Sequence, residues 1–363
     1  MSKEPNSEAM TCIAVDAMGG DNAPAEIVTG AAAATIESPV HVILIGDENQ
    51  ISRILDNTEY KHDQIEIVHT DQVITMDDTP REAIRDKPNA SMLLAANLCA
   101  ENRAQGMVSA GNTGAYVLAA SLNIPRITRV RKTAIASVYP TRNAQGRKDH
   151  FSLILDIGAN IHCTAEDMIQ FALMGKIYAS DIKGIQNPTV ALLNIGKEAY
   201  KGGDLLSKVY KMLSETPEIN FIGNIEGNDV MLGLSDVVVT EGYVGNIVTK
   251  TIEGVAETLS HLGRYAFKRR FLWRLGLIAL SSGIKQLKST TDYSEYGGAP
   301  LLGFKKIVIK AHGRSKAKAI TNAIKLAAKS HRDNICGRIE QEINKCESFW
   351  LSSGSRLAPN IAK

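Results

Sequence analysis

Residues 12–21 read Cys-Ile-Ala-Val-Asp-Ala-Met-Gly-Gly-Asp, and the fold is decided by how that stretch is read. Cys12–Asp16 is a short apolar run without alternation, the pattern of a strand covered on both faces. It runs into a polar glycine turn, Asp16-Ala-Met-Gly19-Gly20-Asp21, and Pro24 stands where a helix begins. Strand, glycine turn and helix in that order form half of a βαβ unit.

The same rhythm continues along the chain from this stretch. Val40–Ile45, Ile65–His69, Gly106–Ala110, Phe151–Asp156, Thr189–Asn194, Phe221–Gly223, Asp236–Thr240 and Lys306–Lys310 read as further strands. Pro24–Ile36, Ala90–Asn102, Ala165–Ala179, Gly245–Leu259 and Ser315–Ala328 read as helices. The expected fold class is α/β, a mostly parallel sheet with helices on both faces. Residues 1–10 read as a disordered leader, 11–335 as the α/β catalytic domain, and 336–363 as a C-terminal helix and tail.

The 363 residues contain 44% hydrophobic and 22% charged side chains, enough apolar material for a sizeable core. A net charge of +2 argues against a chain that coats nucleic acid. Cys12, Cys99, Cys163, Cys336 and Cys346 are scattered and never spaced as CxxC, so neither a disulfide framework nor a cysteine zinc site is expected. No run of residues is long and apolar enough for a membrane span, and the expected location is the cytoplasm.

Several strand ends carry small polar turns. Beyond the first they are Ser109-Ala-Gly111-Asn112-Thr113-Gly114, Asp156-Ile-Gly158-Ala-Asn160, Asn194-Ile-Gly196, Gly223-Asn224-Ile-Glu226 and Thr240-Glu241-Gly242-Tyr-Val-Gly245-Asn246. In open α/β sheets ligands bind outside the carboxyl ends of the strands. Glycine lets the backbone approach an anion, and the following helix offers unpaired N–H groups at its positive end. So many polar turns in one chain are expected to floor a single cleft for a small anion. Neither a P-loop nor a GxGxxG after a strand is present. No spacing among Asp16, Asp21, Asp156 and Glu226 identifies a metal, and a cap or turn role is the plainer expectation for each.

Taken together, these turns resemble the phosphate acyltransferases of bacterial phospholipid synthesis, the PlsX family. The resemblance rests on Ile13-Ala-Val-Asp-Ala-Met-Gly-Gly-Asp21, Ser109-Ala-Gly-Asn-Thr-Gly-Ala115, Leu155-Asp-Ile-Gly-Ala-Asn160, Leu192-Leu-Asn-Ile-Gly196, Asn220-Phe-Ile-Gly-Asn224, Asp236–Gly242, Tyr296-Gly-Gly-Ala299 and Ile309-Lys-Ala-His-Gly313. It implies a fold like that of the isocitrate and isopropylmalate dehydrogenases and the phosphotransacetylases. It also implies transfer of a long-chain acyl group from acyl carrier protein to inorganic phosphate, with no cofactor and no metal. The implied partners are a second copy in a homodimer, the inner face of the cell membrane, and the downstream membrane glycerol-3-phosphate acyltransferase; nucleic acid is not among them.

That chemistry needs an anion cradle beside an oxyanion hole. His312, Lys310 and Asn112 are the expected catalytic residues: Lys310 to neutralise phosphate, His312 to accept its proton or bind it as the imidazolium. Asp16, Gly19, Gly20, Asp21, Gly111, Thr113, Gly114, Asp156, Asn160, Asn194, Glu226, Thr240 and Asn246 are the expected phosphate- or substrate-binding set. The rival mechanism, an acyl-cysteine, has only Cys163 beside His162 to offer. A decarboxylating dehydrogenase of the related fold would want an arginine cluster and a metal-binding aspartate set, and neither is evident.

Between Glu257 and Asp292 there is no acidic residue at all. Arg264, Lys268, Arg269 and Arg270 interleave there with Phe271 and Trp273. A basic amphipathic insertion at about residues 260–290 suits an anionic membrane, an acidic carrier protein or a dimer partner.

Overall fold

The computed structural model describes residues 10–142, 151–269, 280 and 297–352. In chain order the elements begin with β1 (Thr11–Asp16), α1 (Ala25–Glu37), β2 (Val40–Gly46), α2 (Glu48–Leu55), β3 (Ile65–His69), α3 (Pro80–Asp86), α4 (Ser91–Ala100), β4 (Gly106–Ser109) and α5 (Thr113–Asn123). β5 (Ala134–Pro140), β6 (Phe151–Leu155), α6 (Ala165–Asp181), β7 (Thr189–Leu193), α7 (Gly203–Ser214), β8 (Asn220–Ile225), α8 (Gly227–Leu232), β9 (Val237–Val239) and α9 (Gly242–Arg269) follow. β10 (Ala299–Leu302), β11 (Ile307–Lys310), α10 (Ala317–Arg332) and α11 (Ile335–Ser352) close the series.

The chain forms two compact units. The first unit takes residues 1–133 and 294–344, and the second takes 134–293 and 345–363. The first is discontinuous: the chain leaves after α5 and comes back to complete it.

In the first unit the strand order is β3-β2-β1-β4-β11-β10. All neighbours are parallel except the antiparallel pair β10 and β11. Strands β1, β4 and β11 are thus adjacent and point the same way, which sets their carboxyl-end turns side by side. Ile13, Val15, Val42, Leu44, Val108 and Ile309 pack with Ile320 and Ile324 of α10 into one buried cluster. At roughly 2 kcal/mol for each such side chain removed from water, this core is what holds the turns in place. The hydroxyl of Thr321 donates to the Gly30 carbonyl at 2.8 Å, tying α10 to α1.

In the second unit the order is β5-β6-β9-β7-β8, parallel from β6 onward and antiparallel between β5 and β6. Ile154, Ala191, Leu193, Ile225, Val230 and Val238 form a core cluster. Helix α6 opens on a capping box, in which the Thr164 hydroxyl accepts from Asp167 N–H and the Asp167 carboxylate accepts from Thr164 N–H.

The apolar-run strands fall where the sequence puts them, within a residue or three. The two strands that it does not reveal are β5 and β10. Each is short of apolar β-branched side chains, carries a proline, and pairs antiparallel with its neighbour. Helix α9 runs far longer than the expected Gly245–Leu259. Its described residues from Gly254 to Leu259 are all exposed, and Val255, Leu259, Leu262 and Tyr265 lie bare among them or just beyond. Among the described residues no helix is long and apolar enough to cross a membrane.

Candidate functional site

The candidate residues divide between the two units, and in each unit one buried aspartate organises them. In the first unit that residue is Asp16, the last residue of β1 and only 1% exposed. One carboxylate oxygen accepts the Ser91 hydroxyl at 2.6 Å and the Met18 N–H at 3.2 Å. The other accepts the Ser109 hydroxyl, also at 2.6 Å. Burial pushes the Asp16 carboxyl above its ordinary range, and the two serines, Met18 N–H and the charge of Lys310 pull it back. With both oxygens taken by these donors, Asp16 shapes the turn.

The turns of β1, β4 and β11 interlock around it. Asp21 N–H donates to the Gly313 carbonyl at 2.8 Å. Gly20 has φ +108°, which an L side chain rarely adopts, and a Cβ there would also press on Ala110. A Cβ on Gly19 would overlap an Asp16 carboxylate oxygen and come within 2.9 Å of the Gly111 nitrogen. Asn22 donates its amide to the carbonyls of Arg314 and Ser315, each at 3.2 Å.

The turn after β4 leads into α5. Gly111 N–H is taken by the Ser109 hydroxyl at 3.0 Å, and Asn112 caps α5 by accepting Ala115 N–H at 3.1 Å. The N–H groups of Asn112, Thr113 and Gly114 make no hydrogen bond within the described residues, as expected in a first helical turn. The Asn112 amide donates to the carbonyls of Met76 at 3.2 Å and Asp78 at 3.1 Å. Its side chain is therefore committed to capping α5 and holding the segment before α3. Asp78 in turn accepts from Thr75 N–H at 2.7 Å and from the Lys87 ammonium, which together hold its carboxyl below the usual aspartate range.

Lys310 ends β11, buried, in register with Ser109 on β4. Its ammonium donates to the Ala311 carbonyl. His312 is half-buried two residues on, and its Nδ1 accepts Arg314 N–H at 3.1 Å, which assigns the neutral ring's proton to Nε2.

In the second unit Asp156 is fully buried and accepts five N–H groups. These are Ile135 at 3.0 Å, Gly158 at 3.1 Å, Ala159 at 3.0 Å, and the main-chain and side-chain nitrogens of Asn160, both at 2.8 Å. Burial raises its carboxyl and these donors oppose the rise. Thr240 is buried, with its main chain laddered to Leu155 and Asp156. Asn246 stays exposed near Gly158.

Two further positions are turn-formers. Asn194 accepts Ile195 N–H at 2.8 Å and donates to the Lys201 carbonyl at 2.9 Å. Glu226 is the N-cap of α8, with its N–H on the Asp229 carboxylate. Lys197 pairs with Asp229 at 3.3 Å. Cys163, half-buried, donates its N–H to Glu241 at 3.1 Å. Arg264, Lys268 and Arg269 belong to α9, with Arg264 exposed, whereas Arg270, Phe271 and Trp273 lie outside the described residues.

Ser91, Asp78 and Lys87 carry no signal in the sequence that separates them from any solvent-facing residue. Ser109 stands inside a recognised turn, yet its pairing with Asp16 joins strands far apart in the chain.

A model of the fatty acid synthesis protein family matches residues 11–338. A phosphate acyltransferase of Dictyoglomus turgidum is 46% identical over 335 residues, covering 92% of this chain and 98% of the relative. One from Oceanobacillus iheyensis is 45% identical over 315 residues, covering 87% and 92%. Among solved structures, a phosphotransacetylase from Streptococcus pyogenes superposes with a TM-score of 0.58 at 16% identity, covering 89% of this chain and 94% of that one. A branched-chain phosphotransacylase from Enterococcus faecalis gives 0.52 at 16% identity, covering 88% and 98%. Those two support the fold alone; the match over nearly the whole length at close to half identity goes further, and the chain belongs to the phosphate acyltransferase family.

Proposed function

We propose that this chain, an acyltransferase by its family, moves a long-chain acyl group from acyl carrier protein to inorganic phosphate. The observation that carries the reading is the turn after β4: unpaired N–H groups of Asn112, Thr113 and Gly114 at the start of α5, with Lys310 in register on the next strand. Backbone donors and a lysine together suit a phosphate dianion.

In the reaction a phosphate oxygen attacks the thioester carbonyl carbon and forms the new C–O bond. The carbonyl electrons move onto oxygen, then return as the C–S bond breaks. The thiolate leaves with a proton, and acyl phosphate remains. Positioning and electrostatics supply the rate, so no covalent acyl-enzyme is needed. With Nδ1 engaged by Arg314, His312 acts as a donor through Nε2, toward phosphate or the developing oxyanion, in preference to acting as a base. Asp16 and Asp156 hold the turns. A Cys163→Ser protein keeps its turnover on this reading.

The finer partners are part of the same proposal. Exposed apolar side chains on α9 beside Arg264, followed by the basic stretch to Lys288, support docking to a second copy, an acidic carrier protein or an anionic membrane. The downstream membrane acyltransferase would then receive acyl phosphate at that surface.

The decisive experiment mixes the protein with long-chain acyl carrier protein and follows free carrier thiol. Phosphate-dependent release is expected, and release that ignores phosphate defeats the proposal. For the membrane, changing Phe271 and Trp273 together to serine is expected to abolish pelleting with anionic vesicles; unchanged pelleting removes that role.

A further inference from the structure

We infer that Ser109 is a positioning residue for phosphate, its hydroxyl linking the buried Asp16 carboxylate to the turn that receives the anion. The inference rests on the reading of the Gly111–Gly114 turn as the phosphate site.

Ser109 is 1% exposed and cannot meet a ligand itself. It donates to Asp16 at 2.6 Å and accepts Gly111 N–H at 3.0 Å. A hydroxyl that donates to a carboxylate is a stronger acceptor than a free one, so the Asp16 charge is felt at the first peptide of the turn. That peptide is fixed, and the next three N–H groups are left for the ligand. Lys310 stands beside Ser109 in strand register, and its charge acts on the same Asp16 carboxylate.

The molecule contains its own control. Ser91, at the start of α4, is also 1% exposed and also donates to Asp16 at 2.6 Å, on the other oxygen. Among the described residues its hydroxyl makes no hydrogen bond to the turn after β4. Changing either serine to alanine leaves the buried carboxylate one hydroxyl short, a comparable loss of stability. Only Ser109→Ala also frees Gly111 N–H. A purely structural role leaves KM for phosphate unmoved in both variants, whereas a positioning role raises it in Ser109→Ala alone.

The test uses the full chain with saturating long-chain acyl carrier protein and varied inorganic phosphate. Ser109→Ala is expected to raise KM for phosphate about tenfold, the scale of a lost charge-assisted hydrogen bond, with kcat and KM for the acyl donor within about twofold. Ser91→Ala is expected to lower Tm by a similar amount with KM for phosphate unmoved. Ser109→Cys keeps the side-chain volume if alanine does not fold, and its weaker donor gives an intermediate KM. Equal phosphate KM values in the two alanine variants overturn the inference, as does an unchanged KM in either Ser109 variant. A wild-type rate that does not saturate with phosphate overturns the parent reading instead.

Discussion

Asp16 and Asp156 occupy matching places in the two units, one ending β1 and the other following β6, yet they are satisfied in opposite ways. Asp156 collects N–H groups, and most come from its own next four residues. Asp16 collects two hydroxyls from elements distant in sequence, and one of those hydroxyls passes the interaction on. The first arrangement closes a loop locally and uses rigid backbone. The second ties three separate segments together and stands beside a lysine. One position in a strand–turn–helix unit can thus be scaffold in one copy and tuning element in the other, and the partners decide which.

The strongest challenge to that contrast is Asp156→Ala. It strands four main-chain N–H groups, that of Ile135 buried at a cost of about 1–3 kcal/mol and those of Gly158, Ala159 and Asn160 in less buried places, and it opens the turn they close. Loss of soluble protein, or a fall in stability of about 4 kcal/mol or more in urea, is expected. A mild effect would make the two aspartates alike. Next comes Lys310→Met, which removes the cradle's charge while keeping much of the volume. A drop of about a hundredfold in kcat/KM for phosphate is expected in the thiol-release assay, on the scale of a lost oxyanion donor. An unaltered rate would place the phosphate elsewhere.

Gly19→Ala tests the packing of the Asp16 turn. The new methyl overlaps the carboxylate, and a cost of about 1–3 kcal/mol is expected by calorimetry. The smallest effect belongs to Asp78, which braces the segment held by Asn112. Its folded-state pKa lies below the ordinary 3.8, so its contribution is present above that value and fades as pH falls through the lower folded one. Asp78→Asn is expected to lower Tm at neutral pH by about 1–2 °C, the size of an exposed pair, and the gap should close on acidification. A gap that widens instead would reverse the sign assigned to Asp78.

Much of this was legible in the chain before any coordinates. Apolar runs located the parallel strands because side chains buried on both faces must all be apolar. The glycine turns were legible because the backbone there comes too close to a neighbour for a Cβ, as at Gly19, or adopts a positive φ, as at Gly20. The role of each polar residue in those turns was not. Asp16, Asp156, Asn194 and Glu226 look like ligands for an anion when seen only beside glycines. The carboxylates of Asp16 and Asp156 already accept O–H and N–H groups of the protein, and the Asn194 amide is engaged within its own turn. Ser91 reaches Asp16 across 75 positions and Ser109 across 93. No local pattern carries such a contact, since serine at a helix start or strand end has many ordinary uses.

The return of the chain to complete the first unit has a consequence for synthesis. Multidomain chains generally finish their leading part first, while translation proceeds at about 5–20 residues per second. Here β11 is inserted between β4 and β10, so β4 keeps an unpaired edge until residues near Lys310 have emerged. The strands of the second unit, β5 to β9, have all been synthesised by then. A nascent chain therefore carries all five strands of the second unit before β11 can close the sheet of the first beside β4.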